Sequence, residues 1–363
     1  MADQIRVGVI GTSWWADLAH LPLFKGDSRV DLVAICGRNR DRAQAMATKH
    51  GIQTVFTDYR DMIAKGRLHA IAISTPDDEH YAMTMAALDA GLHVLCEKPL
   101  ALDATDAKTM YEKAQAKGVC HMAFFTWRWM PHYRYMKELI QQGVLGRIYH
   151  AQFSFLAGFG RDSRYKWRFD RKRAHGVIAD SGSHMFDLAR FLLGDIKEVN
   201  ARLVSNVARQ DSEGKPSESA NDAATILIEF ADGGHGTIEV STVARVDDSS
   251  LEQDVAIHGE AGSLVGSLRP IGGLGVRLAK GDEAFQKLTI PDHYLKGVDA
   301  SQPFLTQLIP LLQNQSIGCR LFIDGILSKQ QIEPSFYEGW KAQQIIDAAI
   351  ASHESGQWRQ IGP

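Results

Sequence analysis

The sequence predicts an α/β chain that opens with a doubly wound parallel sheet and continues into a second domain rich in alternating strands. Three observations carry this. The length of 363 residues exceeds the roughly 100–200 residues of one domain, so two domains are expected. The first 125 residues alternate short apolar runs with segments of helical spacing. Beyond them, stretches such as ATILIEFADGGHGTIEVSTVA alternate apolar and polar residues, the period of a strand with one buried face.

Residues 5–10, IRVGVI, read as the first strand, and GTSWWADLAHLP follows with Gly11 where a strand turns into a helix. Apolar runs recur at 30–36, 70–74, 92–96 and 119–124, separated by helical spacing at 39–50, 59–65, 79–90 and 103–117. Strands apolar throughout, alternating with helices, mean βαβ units in a parallel sheet covered on both faces. The boundaries expected are 1–125 for this domain and 126–363 for the next, with a final helix at about 336–354. In the second domain two strands join at Asp232-Gly233-Gly234, VAIHGEAGSLVG is a further strand and turn, and 209–221 is an exposed polar excursion.

Composition narrows the function. Lys and Arg total 40 against 43 Asp and Glu, a net charge of -3, which argues against a nucleic-acid partner. The four cysteines, at 36, 96, 120 and 319, form no CxxC pair and read as buried thiols in a reducing compartment. The N-terminus carries no signal-peptide pattern and no window reaches a membrane span, so a cytoplasmic protein is expected. The dispersed histidines show no metal-ligand spacing, and a G-x-S-x-G elbow is absent.

The first turn carries Gly11-x-Ser13-x-x-Ala16 in place of G-x-G-x-x-G/A. Gly11 permits the tight turn, small Ser13 lets backbone approach a pyrophosphate, and Ala16 lets helix and strand pack closely. Thr12, Trp14 and Trp15 belong to the same turn; the tryptophans either cover the pyrophosphate or pack on the neighbouring domain. The second strand ends in Cys36-Gly37-Arg38 with no carboxylate for ribose hydroxyls. Arg38 suits a 2′-phosphate, so NADP is favoured over NAD.

Two segments point to chemistry. Glu97-Lys98-Pro99 follows LHVLC at the carboxyl end of a strand, where open α/β sheets bind ligands. Asp180 and His184 stand four apart in GVIADSGSHMFDLARFLLG, on one helical face. Histidine accepts protons near pH 7, and a neighbouring carboxylate orients its ring. The run 161–173, RDSRYKWRFDRKR, holds seven basic and two acidic residues just before it. Tyr165, Trp167 and Arg168 are the candidates there for a sugar face and an anionic group.

In this order the motifs resemble the Gfo/Idh/MocA family of glucose-fructose oxidoreductase-like and inositol dehydrogenase-like enzymes. The resemblance runs from the turn at 7–16 through Asp58-Tyr59, Ser74-Thr75-Pro76 with His80, and Glu97-Lys98-Pro99-Leu100. It continues through Arg128 with Pro131, Gly143-x-x-Gly146, Asp180-x-Gly182-Ser183-His184-x-x-Asp187 and Pro334-Ser335-Phe336-x-Glu338-Gly339. It implies a Rossmann domain and an α+β C-terminal domain on a large, mostly antiparallel open sheet, commonly buried against another subunit, hence a homodimer or homotetramer. By position, Lys98, Asp180 and His184 match the catalytic triad. Ser74, Thr75, Pro76 and His80 match the loop along the cofactor, and Glu97 a position near its nicotinamide ribose. Arg128 belongs with the substrate residues, although Trp127 and Trp129 replace the shorter polar residues usual around it. The activity implied is hydride transfer between a sugar or polyol and NAD(P). The alternatives are an NAD-dependent glycoside hydrolase using transient oxidation, elimination and re-reduction, and a non-catalytic sensor, which the three intact residues oppose.

Overall fold

β1 (Ile5–Ile10) leads through a π-helical turn at Ala16–His20 into α1 (Leu21–Lys25), and β2 (Val30–Cys36), α2 (Arg40–His50), β3 (Thr54–Phe56) and α3 (Tyr59–Lys65) follow. β4 (Ala70–Ile73), α4 (His80–Asp89), β5 (His93–Cys96), α5 (Ala104–Lys117) and β6 (His121–Ala123) complete the series. The computed structural model describes residues 4–246, 251–269, 273–298 and 304–362. All six strands are parallel, in the order β3-β2-β1-β4-β5-β6. Val9, Ile35, Ile71, Val94 and Leu95 have no exposed surface, as continuous apolar strands between two helical layers require. Asn39, Asp58 and Asp103 cap α2, α3 and α5 through their side-chain oxygens. β3 has three residues, too few to leave a periodic signal.

The second series comprises α6 (Pro131–Gln141), β7 (Ile148–Ala157), α7 (Val177–Asp180), α8 (Gly182–Leu193), β8 (Ile196–Val204), β9 (Arg209–Gln210), β10 (Pro216–Ser217), β11 (Ala223–Phe230) and β12 (His235–Ser241). β13 (Leu251–Gly259), β14 (Gly262–Arg269), β15 (Gly273–Lys280) and β16 (Gln286–Leu288) continue it, and α9 (Phe304–Asn314), α10 (Gly318–Ser328), α11 (Phe336–Ser355) and β17 (Arg359–Gln360) end the chain. Nine strands form one sheet, β16-β15-β14-β13-β7-β12-β11-β8-β17, antiparallel except for the β12/β7 pair. On one face Ile226, Ile238, Phe153 and Val255 stand opposite one another and are buried, where α8 packs on β7 and β12, and α6 on β14 and β15. On the other, Leu227, Thr237, Gln152, Ala256, Val265 and Arg277 form a half-exposed row.

The chain divides into two compact units after Phe125, and the first unit also takes in Leu305–Trp340. No local pattern in 126–363 marks this return. Its cause is local: α10 packs on α1 and β5, and the Cys120 thiol lies 3.9 Å from the Phe322 carbonyl. Gln331 Nε2 donates to the His121 carbonyl at 2.7 Å, and the Phe336 amide donates to His121 Nδ1 at 3.1 Å. The excursion at 209–221 is exposed over most of its length as expected, but it is anchored at its start. Arg209 is buried and ion-paired to Asp222 at 3.0 Å, because a guanidinium removed from water needs a fixed counter-charge.

Candidate active site

In the first unit, the strand order reverses between β1 and β4, and ligands of open α/β sheets bind in the crevice at such a switch point. Gly11 sits there at φ +125°, and a Cβ on it would lie 2.1 Å from the Ser74 carbonyl oxygen. Only glycine keeps this cradle open. Ser13 Oγ accepts the Ala16 amide at 3.0 Å and lies 3.3 Å from Ser74 Oγ. The residue in place of the middle glycine therefore caps the turn. Thr12 is half-buried, and Trp14 is exposed and edge-on to Trp15.

Trp15 does not lie open over the turn. Its Nε1 donates to Glu97 Oε1 at 2.7 Å, and His20 Nε2 lies 2.7 Å from the same oxygen. Burial raises the Glu97 pKa, but the His20 hydrogen bond and charge, together with Lys98 and Trp15, outweigh it and hold the carboxyl below its ordinary range. His20 is fully buried, 4.7 Å from the Phe124 ring. Nothing in the sequence pattern marked it. Lys98, half-buried, follows Glu97 directly.

His80 has no exposed surface, which corrects the expectation that it touches a cofactor. Nδ1 lies 2.8 Å from the Pro99 carbonyl and Nε2 3.0 Å from the Thr75 carbonyl. The ring ties the Ser74-Thr75-Pro76 loop to the turn that carries Lys98, and burial lowers its pKa. Arg38 is exposed and pairs with Glu79 at 3.3 Å.

In the second unit, Asp180 ends α7 and His184 lies in the first turn of α8, with a break at Ser181 between them. The single helix expected is thus two. Gly176 precedes α7 at φ +72°, where a Cβ would meet the Asn221 carbonyl oxygen at 2.2 Å. Asn221 fixes this start by accepting the Ile178 amide at 3.0 Å and donating to the His175 carbonyl at 2.7 Å. His184 is buried, with the Trp127 ring edge-on at 5.9 Å.

Of the expected substrate residues, Arg128 is the clearest correction. It is buried and bonded by two nitrogens to both carboxylate oxygens of Asp187, which a buried cation requires. Tyr165 donates to Asp170 Oδ2 at 3.2 Å. Arg168 stacks on Trp167 at 4.5 Å and its Nε lies 3.3 Å from Asp180 Oδ2. The basic run is largely paired within the unit: Asp162 with Arg164 and Lys166, Glu218 with Arg171. Among the described residues no group of three or more His, Cys, Asp or Glu is placed to hold a metal ion, and no helix is long and apolar enough to cross a membrane.

A Rossmann sheet with a glycine cradle, in one chain with a large open sheet covered by a helix that carries a buried histidine, defines a class of two-domain oxidoreductases. Residues 5–125 match the family model described as oxidoreductase family, NAD-binding Rossmann fold, and residues 133–265 match that of the GFO/IDH/MocA C-terminal domain. The chain belongs to the Gfo/Idh/MocA family of oxidoreductases. Levoglucosan dehydrogenase of Pseudarthrobacter phenanthrenivorans is 28% identical over 99% of this chain and 98% of its own length. D-glucoside 3-dehydrogenase of Escherichia coli is 30% identical over 69% of this chain and 74% of its own. A solved levoglucosan dehydrogenase, in complex with NADH and levoglucosan, superposes with a TM-score of 0.87 at 25% identity, covering 99% of this chain and 100% of that one.

Proposed function

We propose that the protein is a nicotinamide-dependent sugar dehydrogenase or reductase, acting on a CH–OH carbon of a sugar, polyol or sugar derivative. The observation that carries this is the open cradle at Gly11, held by φ +125° and by the approach of the Ser74 carbonyl, in a chain of this family. Gly11, Thr12, Ser13, Ser74, Thr75 and Pro76 would hold the dinucleotide, with Trp14, Trp15 and Glu97 at the margin of its site. The nicotinamide, when bound, supplies or takes the hydride. His184 accepts the hydroxyl proton, Asp180 balances the imidazolium, and Lys98 donates to the substrate oxygen. Tyr165 and Trp167 offer ring faces to the sugar.

NADP(H) use is proposed through Arg38. Its exposed pair with Glu79 is of a kind worth about 0–1 kcal/mol, so a 2′-phosphate can displace it. The NADH complex of the solved relative supports NAD(H) instead. If Arg38→Ala leaves the NADP/NAD ratio of kcat/KM unchanged, the phosphate role is wrong. A homodimer or homotetramer through the half-exposed sheet face is also proposed, in the cytoplasm.

A panel of sugars and aryl glycosides with both cofactors tests the activity. Stoichiometric NAD(P)H formation is expected. Phenol release without net cofactor reduction would instead establish the redox-cycling glycosidase.

A further inference from the structure

Arg168 was expected to grip an anionic substrate, yet its guanidinium faces a carboxylate of its own unit. Nε stands 3.3 Å from Asp180 Oδ2, with the two side chains 33% and 18% exposed. The arm itself is fixed. Arg168 lies over the Trp167 ring at 4.5 Å, within the 3-10 turn Trp167–Phe169. That turn is fastened from behind: the Ala220 amide donates to the Phe169 carbonyl at 2.9 Å, and the Arg209 guanidinium lies 3.8 Å over the Phe169 ring. Arg209 is in turn locked by buried Asp222, at 3.0 Å, whose oxygens also accept the amides of Asn206 and Val207. A planar, permanently charged guanidinium on a rigid mount holds a carboxylate in place in a way a flexible, solvated lysine does not.

From this geometry we infer that Arg168 is a positioning residue, which holds the Asp180 carboxylate in the orientation that proton transfer at His184 needs. The inference rests on the sugar oxidoreductase reading. It deepens that reading by giving the Arg168 charge a partner within the protein, the Asp180 carboxylate, through Nε.

A double-mutant cycle tests it, with Arg168→Ala, Arg168→Lys, Asp180→Asn and the Arg168→Ala/Asp180→Asn pair. Misplacing a reacting group by about 1 Å costs on the order of 100-fold, so Arg168→Ala should lower kcat on a neutral sugar roughly 10- to 100-fold, with KM changed less. Arg168→Lys should recover part of this. The double variant should be no slower than Asp180→Asn alone, because both changes remove one interaction. Losses that multiply in the double variant, or a KM increase confined to a sugar acid with kcat on neutral sugars intact, overturn the inference. The same cycle read on urea unfolding reports the Arg168–Asp180 coupling without turnover. Coupled stabilities in a wild type that oxidises no sugar would therefore count against the sugar reading and not against the ion pair.

Discussion

Arg128 and Asp187 are both nearly removed from solvent, and each is the other's counter-charge. Removing one partner strands the other, so Arg128→Ala or Asp187→Asn should cost about 3–5 kcal/mol in urea unfolding. Replacing both by apolar residues should recover much of it. Buried imidazoles set a second expectation. Burial pushes His132 down to about 3 and His121 down to about 4, from an ordinary 6.5. The unfolded chain then binds protons that the folded chain refuses. Stability is full above about pH 6.5 and falls as pH drops toward 4 and 3. Unfolding midpoints measured from pH 7 to 4 should show the slope, and His132→Phe should flatten it. At this scale the sequence announced residue types and not partners. The motif placed Arg128 with the substrate residues, but its partner is Asp187, 59 positions away. Glu97 was legible as important, while His20 and Trp15, which hold it, lie 77 and 82 positions from it.

Single turns support the two halves of the proposed chemistry. Gly11→Ala drives a methyl group into the Ser74 carbonyl; dinucleotide binding, followed by NADH fluorescence, should be lost or fall at least tenfold. Gly176→Ala presses the same atom into the Asn221 carbonyl and displaces the start of α7. There kcat should fall while dinucleotide binding is kept. Elements with local signals were readable: the β11–β12 hairpin closes at Asp232-Gly233-Gly234, with the Phe230 amide donating to the Gly234 carbonyl at 2.8 Å. The break at Ser181 was not, because its backbone remains helical at φ -88° and ψ -33° and no proline or glycine pair marks it. The parallel pairing of β7 with β12 joins distant segments, which no short-range pattern encodes.

Across the whole molecule, the nine-stranded sheet leaves Leu227 44% exposed in the row that runs to Arg277. If this face meets a second copy, Leu227→Arg should shift the species seen by light-scattering chromatography toward the monomer, with the fold by circular dichroism unchanged. The two-part architecture was legible from length and period together, whereas the membership of 305–340 was not. That return of the chain has a practical consequence for exchange of parts between relatives. A graft cut after Phe125 would strip β6 of Gln331 and Phe336, and leave Cys120 without its Phe322 neighbour. The transplantable cofactor module is therefore discontinuous, and a chimera that carries Leu305–Trp340 along with it should express in soluble form where the shorter graft aggregates.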